Sequence, residues 1–178
     1  MVRVLAAAFV VASVASPAAL RVSSSNINGG LLNEAFMARD CYGENRSPSL
    51  AWSGAPQGTR SFAIVMHDAD APIPGGFYHW VVYNVAPSTH SFPTEAVLRP
   101  EQLGETSART TAYYGPCPPA GSIHNYTITV YALDVARVAA PEPLSAVRLQ
   151  SEIAGHVLAR GVLKTTAGFK LGSENGTP

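Results

Sequence analysis

The sequence predicts a mainly β protein, an antiparallel β-sandwich with one helix packed against it late in the chain. Three observations carry this. Runs rich in β-branched and aromatic residues recur at SFAIVMHD (61–68), FYHWVVYNV (77–85) and NYTITVYALD (125–134), the composition of pleated, half-buried strands. Turn-forming stretches such as GAPQGT (54–59) and DAPIPGG (70–76) separate them. A single later segment, LSAVRLQSEIAGHVLARG (144–161), spaces its apolar residues as a helix does.

Taken in order, the chain opens with MVRVLAAAFVVASVASPAAL. Arg3 gives a short positive start, and Val4 to Val14 is apolar apart from Ser13. Small residues at Ser16 and Ala18, or at Ala15 and Ala19, offer cleavage positions. This reads as a secretory signal peptide over residues 1–19, too short for a comfortable membrane span. A buried N-terminal helix is the alternative, opposed by Pro17 and the polar RVSSSN that follows. Residues 20–178 then form one domain, expected in a periplasm or outside the cell, with no transmembrane segment.

SLAWSG (49–54) and VLKTTAGFKL (162–171) are weaker strand candidates. Residues 86–112 carry little pattern and are expected to run over the surface. In NYTITVY, Tyr126, Ile128 and Val130 fall on one side and Thr127, Thr129 and Tyr131 on the other. The helix over 144–161 would use Leu144, Val147, Ile153, Val157 and Leu158 as its apolar face, with Pro143 before it and Gly161 after it as start and stop.

Composition limits the function. The chain has 178 residues, 47% apolar and 13% charged, with Lys plus Arg equal to Asp plus Glu at 12 each. No basic run occurs, which argues against a nucleic-acid partner. There are two cysteines, Cys41 and Cys117. An even number in an exported protein suggests a disulfide, the alternative being two buried thiols.

Three stretches gather ionisable groups. HDADAP (67–72) follows an apolar strand, and Asp68 and Asp70 share a side of an extended chain. YHWVVYN (78–84) carries His79, and GPCPPAGSIHNY (115–126) carries His124 and Tyr126. The prolines make this last loop stiff and keep it out of a sheet interior. Converging, these stretches would form a pocket with two carboxylates, two imidazoles and a phenol, suited to a small anion or zwitterion. Backbone N–H groups of the Gly115 to Gly121 loop could add donors. A metal could use His67, Asp68, Asp70, His79 and His124, but no HExxH or comparable spacing occurs. No GxSxG supports a serine hydrolase, and a disulfide would remove Cys117 as a nucleophile. The glycines match neither a P-loop nor a dinucleotide fingerprint, so no cofactor is implied.

DADAP, HWVVYN and GPCPPAGSIHNYTITVYALD, in this order and spacing, resemble the phosphatidylethanolamine-binding protein (PEBP) family. CYGENRSPSLAWSGAPQGTRSFAI further resembles its bacterial Raf-kinase-inhibitor-like branch. The resemblance is strong over residues 38–134 and weaker beyond. It implies a β-sandwich with an anion pocket at one end, lined by Asp68, Asp70, Pro72, His79, Pro118, Gly121, His124 and Tyr126. It also implies a protein that binds phosphate-type groups or a phospholipid headgroup and acts on a partner, with no catalytic residue, metal or cofactor. A homodimer is left open. A hydrolase using His79 or His124 as general base, or an interaction module with a vestigial pocket, are the other readings. Two positions depart from the family pattern: Ala69 stands where DPDAP has proline, and Asn125 where His-Arg-Tyr has arginine.

Overall fold

The computed structural model describes residues 19–139 and 143–168. The segment read as a signal peptide lies outside the described residues, apart from Ala19. Among the described residues nine strands form: β1 (Arg21–Ser23), β2 (Ile27–Asn28), β3 (Leu31–Leu32), β4 (Leu50–Ser53), β5 (Ser61–Asp68), β6 (Phe77–Val85), β7 (Ser91–Phe92), β8 (Ile123–Leu133) and β9 (Val157–Gly168). One α-helix, α1 (Ala146–Ile153), lies between β8 and β9. A six-stranded sheet runs β2-β3-β9-β8-β5-β6, and a three-stranded sheet runs β1-β4-β7. All pairings are antiparallel except β3 with β9.

The large sheet has an apolar cluster on each face. Phe62, Ile64 and Met66 of β5, Tyr126, Ile128 and Val130 of β8, and Trp80 and Val82 of β6 pack toward Leu50, Trp52 and Phe92 of the small sheet. Ala63, Val65, Val81, Tyr83 and Leu133 face the other way, onto Leu149 and Ile153 of α1. That is why β5 reads as an unbroken apolar run: the strand is covered on both sides. Each fully buried large side chain, such as Phe62 or Ile128, contributes about 2–3 kcal/mol. The predicted sandwich with a helix packed against it is the observed architecture.

Three expectations are corrected. The helix does not span 144–161. It ends at Ile153, buries Ala146, Leu149 and Ile153, and leaves Val147 63% exposed. Ser145 caps it by accepting from the Arg148 N–H. From Val157 the chain becomes β9, paired along its length with β8, and the order V-L-A-R-G-V-L suits a period of two as well as a helical spacing. Gly161 sits inside this strand, where a Cβ would run into the Leu20 carbonyl. The strand expected over 162–171 therefore begins earlier, and residues 169–171 lie outside the described ones. Finally, the 86–112 excursion is partly built into the fold. It contributes β7, a 3₁₀ turn at Pro100–Gln102, bridges from Leu103 to Val82 and from Glu105 to Ser145, and the buried Gln102 and Thr106.

Candidate functional site

Register brings the chemistry to one end of the large sheet. β5 ends at Asp68, which lies opposite Tyr126 of β8 on one side and Phe77 of β6 on the other. His124 opens β8 two residues earlier on the same face. His79 arrives by a different device. Met66 pairs with Trp80 and His67 with Tyr78, so His79 has no counterpart on β5. This bulge turns its side chain toward Asp68; strict alternation would have placed it with Val81 on the helix side. The His79 carbonyl accepts from Tyr114 N–H (2.9 Å), and His79 Nδ1 donates to the Tyr114 carbonyl (2.8 Å). One residue, Tyr114, thus clamps both the backbone and the ring of His79.

The loop carrying Tyr114 is held in turn. Gly115 packs so closely on the chain at 36–38 that a Cβ there would collide with its backbone. Ala38 N–H donates to the Pro116 carbonyl (3.0 Å), and Asn45 accepts from Gly115 N–H and donates to the Tyr113 carbonyl. The Cys41–Cys117 disulfide forms, with Cα atoms 5.4 Å apart.

Asp68 organises the interior. Its Oδ1 accepts from the N–H groups of Asp70 (2.9 Å) and Ala71 (3.1 Å), turning the chain at the end of β5. Its Oδ2 accepts from His124 Nδ1 at 2.8 Å and lies 4.0 Å from His79 Nε2. Among the described residues His79 Nε2 is buried without a hydrogen-bond partner, and the Tyr126 hydroxyl is buried close to the Asp68 carboxylate. Burial lowers the His79 pKa to about 4, outweighing the Tyr114 carbonyl and the Asp68 charge, which both raise it. Burial, then Asp68, pushes the Tyr126 phenol far up.

A cavity of about 290 Å³ opens here, lined by Asp68, Ala71, Pro72, Ile73, Phe77, His79, Tyr114, Cys117, Pro119 and His124. Of the residues singled out from the sequence, Asp68, Pro72, His79 and His124 meet in it. Tyr126 lies behind them, its ring edge-on to His79 at 5.3 Å. Pro118 and Gly121 belong to the wall loop, but its lining residues are Cys117 and Pro119. Asp70 points elsewhere: because the chain turns after Asp68, its carboxylate accepts from Asn125 N–H (2.7 Å) and the Asn125 amide (2.8 Å). These bonds lower its pKa. His67 also leaves the cavity, bonding the Gly75 carbonyl and stacking on Tyr78. Among the described residues no group of three or more His, Cys, Asp or Glu could hold a metal. Phe77, Tyr114 and Ile73 carried no signal of their own in the sequence, since a backbone clamp and an apolar lip have no side-chain signature.

The sandwich thus sets a His–Asp–His cluster at the strand ends of its large sheet, in a small cavity under a proline-rich loop. The model described as phosphatidylethanolamine-binding protein matches residues 22–168, and the chain belongs to that family. It is 38% identical to the UPF0098 protein YbhB of Escherichia coli over 123 residues, 66% of this chain and 78% of that protein. It is 37% identical to the UPF0098 protein YbcL of Escherichia coli over 135 residues, covering 70% and 74%. The solved structure of YbcL, described as a new member of the mammalian PEBP family, superposes with a TM-score of 0.79 at 29% identity, covering 86% of this chain and all of that one. The "Putative lipoprotein LppC" of Mycobacterium tuberculosis is 40% identical over 98 residues, 54% of this chain and 47% of that protein. Among the described residues no helix is long and apolar enough to cross a membrane.

Proposed function

We propose that this is an exported binding protein that takes a phosphate-type or phosphoethanolamine-like anion in the Asp68–His79–His124 cavity and thereby modulates a partner protein. The observation that carries the reading is His79 Nε2, a polar atom buried without a hydrogen-bond partner in the wall of a cavity of small-molecule size. Buried polar groups are nearly always satisfied, so an unsatisfied ring nitrogen in a cavity wall marks a place where a ligand can supply the missing bond. Family membership and the preformed walls support the same reading.

Export is supported by the apolar N-terminal run, the disulfide and the lipoprotein relative. Intact mass of the protein recovered from the cell envelope or medium tests it: loss of the first residues, up to about Ala19, is expected.

Calorimetric titration with phosphoethanolamine and inorganic phosphate tests the binding. Saturable heat that disappears in His79→Ala and His124→Ala is expected; unchanged affinity in folded His124→Ala overturns the assignment. One observation favours a hydrolase as second reading: Asp68 holds His124 as an aspartate holds a general base. Among the described residues no serine, threonine or lysine lines the cavity, and Cys117 is bonded to Cys41, so the nucleophile would be water. Turnover of a phosphate monoester, lost in His124→Ala, would favour it.

A further inference from the structure

The tautomers of the two cavity histidines determine what kind of anion can enter, an inference that rests on the binding reading above. His79 Nδ1 faces the Tyr114 carbonyl at 2.8 Å, and a carbonyl can only accept. His124 Nδ1 faces Asp68 Oδ2 at 2.8 Å, a carboxylate oxygen that also accepts. Each ring therefore spends its Nδ1–H on the protein, and the neutral ring of His79 presents a lone pair at Nε2.

An acidic side chain faces His79. Asp68 stands 4.0 Å away at the end of β5. Tyr126 and His124 face it from β8 and Tyr114 from the wall loop; His67, further along β5, adds only a like-charge effect. Among the described residues no arginine or lysine lines the cavity. An oxyanion without a proton would thus meet a lone pair on a ring that is 3% exposed, next to a carboxylate. That contact is repulsive unless a proton sits between nitrogen and oxygen.

We propose that the cavity selects protonatable oxyanions of the phosphate-monoester class, each held with one proton shared between His79 Nε2 and an anion oxygen. Anions that bring no proton, strong-acid dianions such as sulfate and phosphodiesters including a lipid headgroup, are rejected at neutral pH. A monoester, whose second ionisation lies near pH 6, supplies that proton at little cost. Sulfate must instead draw one onto a buried imidazole, and its affinity rises about tenfold for each unit the pH falls.

The test is calorimetry at pH 7.5 with phosphoethanolamine, inorganic phosphate, sulfate, dimethyl phosphate and glycerophosphoethanolamine, in two buffers of different ionisation enthalpy. Phosphoethanolamine should bind with uptake of roughly one proton. Sulfate and both diesters should bind at least about tenfold more weakly, with sulfate recovering as the pH is lowered to 5.5. Ring ¹⁵N spectra of the wild-type protein should show His79 Nε2 moving from lone pair toward protonated on adding phosphoethanolamine. His79→Asn, which keeps a donor for the Tyr114 carbonyl, should lose the uptake. Sulfate or glycerophosphoethanolamine binding as tightly as phosphoethanolamine at pH 7.5, absent proton uptake, or a change at His124 alone would each overturn the proposal while leaving an anion site. No binding of any of the five would overturn the binding reading itself.

Discussion

Acidifying the unliganded protein probes His79 directly. The ring is 3% exposed and its pKa is lowered to about 4, against 6.5 for the free group. An imidazole depressed in this way leaves the fold at full stability above pH 6.5. Stability then falls as the unfolded chain takes up a proton that the folded ring refuses, and the loss is complete once the pH has passed about 4. A difference of about 2.5 units, at about 1.36 kcal/mol each, amounts to roughly 3 kcal/mol. For a chain of this size the melting temperature should fall by about 6–12 °C across that window. The assay is thermal unfolding followed by circular dichroism between pH 7 and 4, in buffers free of oxyanions. His79→Asn keeps the bond to Tyr114 and cannot titrate, so its profile should lack this component. Parallel profiles for the two proteins would refute the buried neutral imidazole, and with it the account of the cavity.

The remaining expectations concern what holds the site. Cys41 and Cys117 are 76 residues apart, and closing such a loop removes about 4.5 kcal/mol of unfolded-state entropy in the chain-entropy model. Cys41→Ala/Cys117→Ala should therefore melt about 10–18 °C lower; a drop under about 3 °C would show that the cross-link constrains little. Asp68→Ala strands His124 Nδ1–H and two backbone N–H groups and should cost about 3 kcal/mol in urea unfolding, whereas Asp68→Asn, which still accepts through one oxygen, should cost about 1. Equal losses would place the role of Asp68 in packing. Asn125→Ala removes one of the two bonds that depress Asp70, so the Asp70 carboxyl, titrated by ¹³C shifts, should move up toward 3.8. An unmoved titration would mean that the backbone bond alone sets it.

Where local chemistry bounds an element, the sequence locates it closely. β5 and β6 fall on 61–68 and 77–85 because turn residues flank both runs. The helix expected over 144–161 is overextended because its second half satisfies two periods at once, and only pairing with β8 decides between them. Asp68, His79 and His124 were legible as ionisable groups at strand ends. Their convergence was not, since it depends on a bulge that turns His79 against the alternation of β6. Asp70 shows the reverse error. Period two puts it beside Asp68, but Asp68 caps the turn that ends the strand and sends Asp70 outward.

The two departures from the family pattern acquire a physical meaning from these contacts. A proline before the second aspartate would stiffen the turn through its backbone; with Ala69 there, the turn is held by Asp68 Oδ1 on the N–H groups of residues 70 and 71. The carboxylate that fixes His124 is thus also the clamp of the wall containing Ala71, Pro72 and Ile73. At position 125, an arginine would put a cation on the exposed side of β8, away from the cavity. Asn125 instead gives Asp70 two neutral donors within 2.8 Å, joining the β5 turn to β8 without adding charge. The cavity is consequently positioned by hydrogen bonds to backbone and carboxylate rather than by a fixed cation.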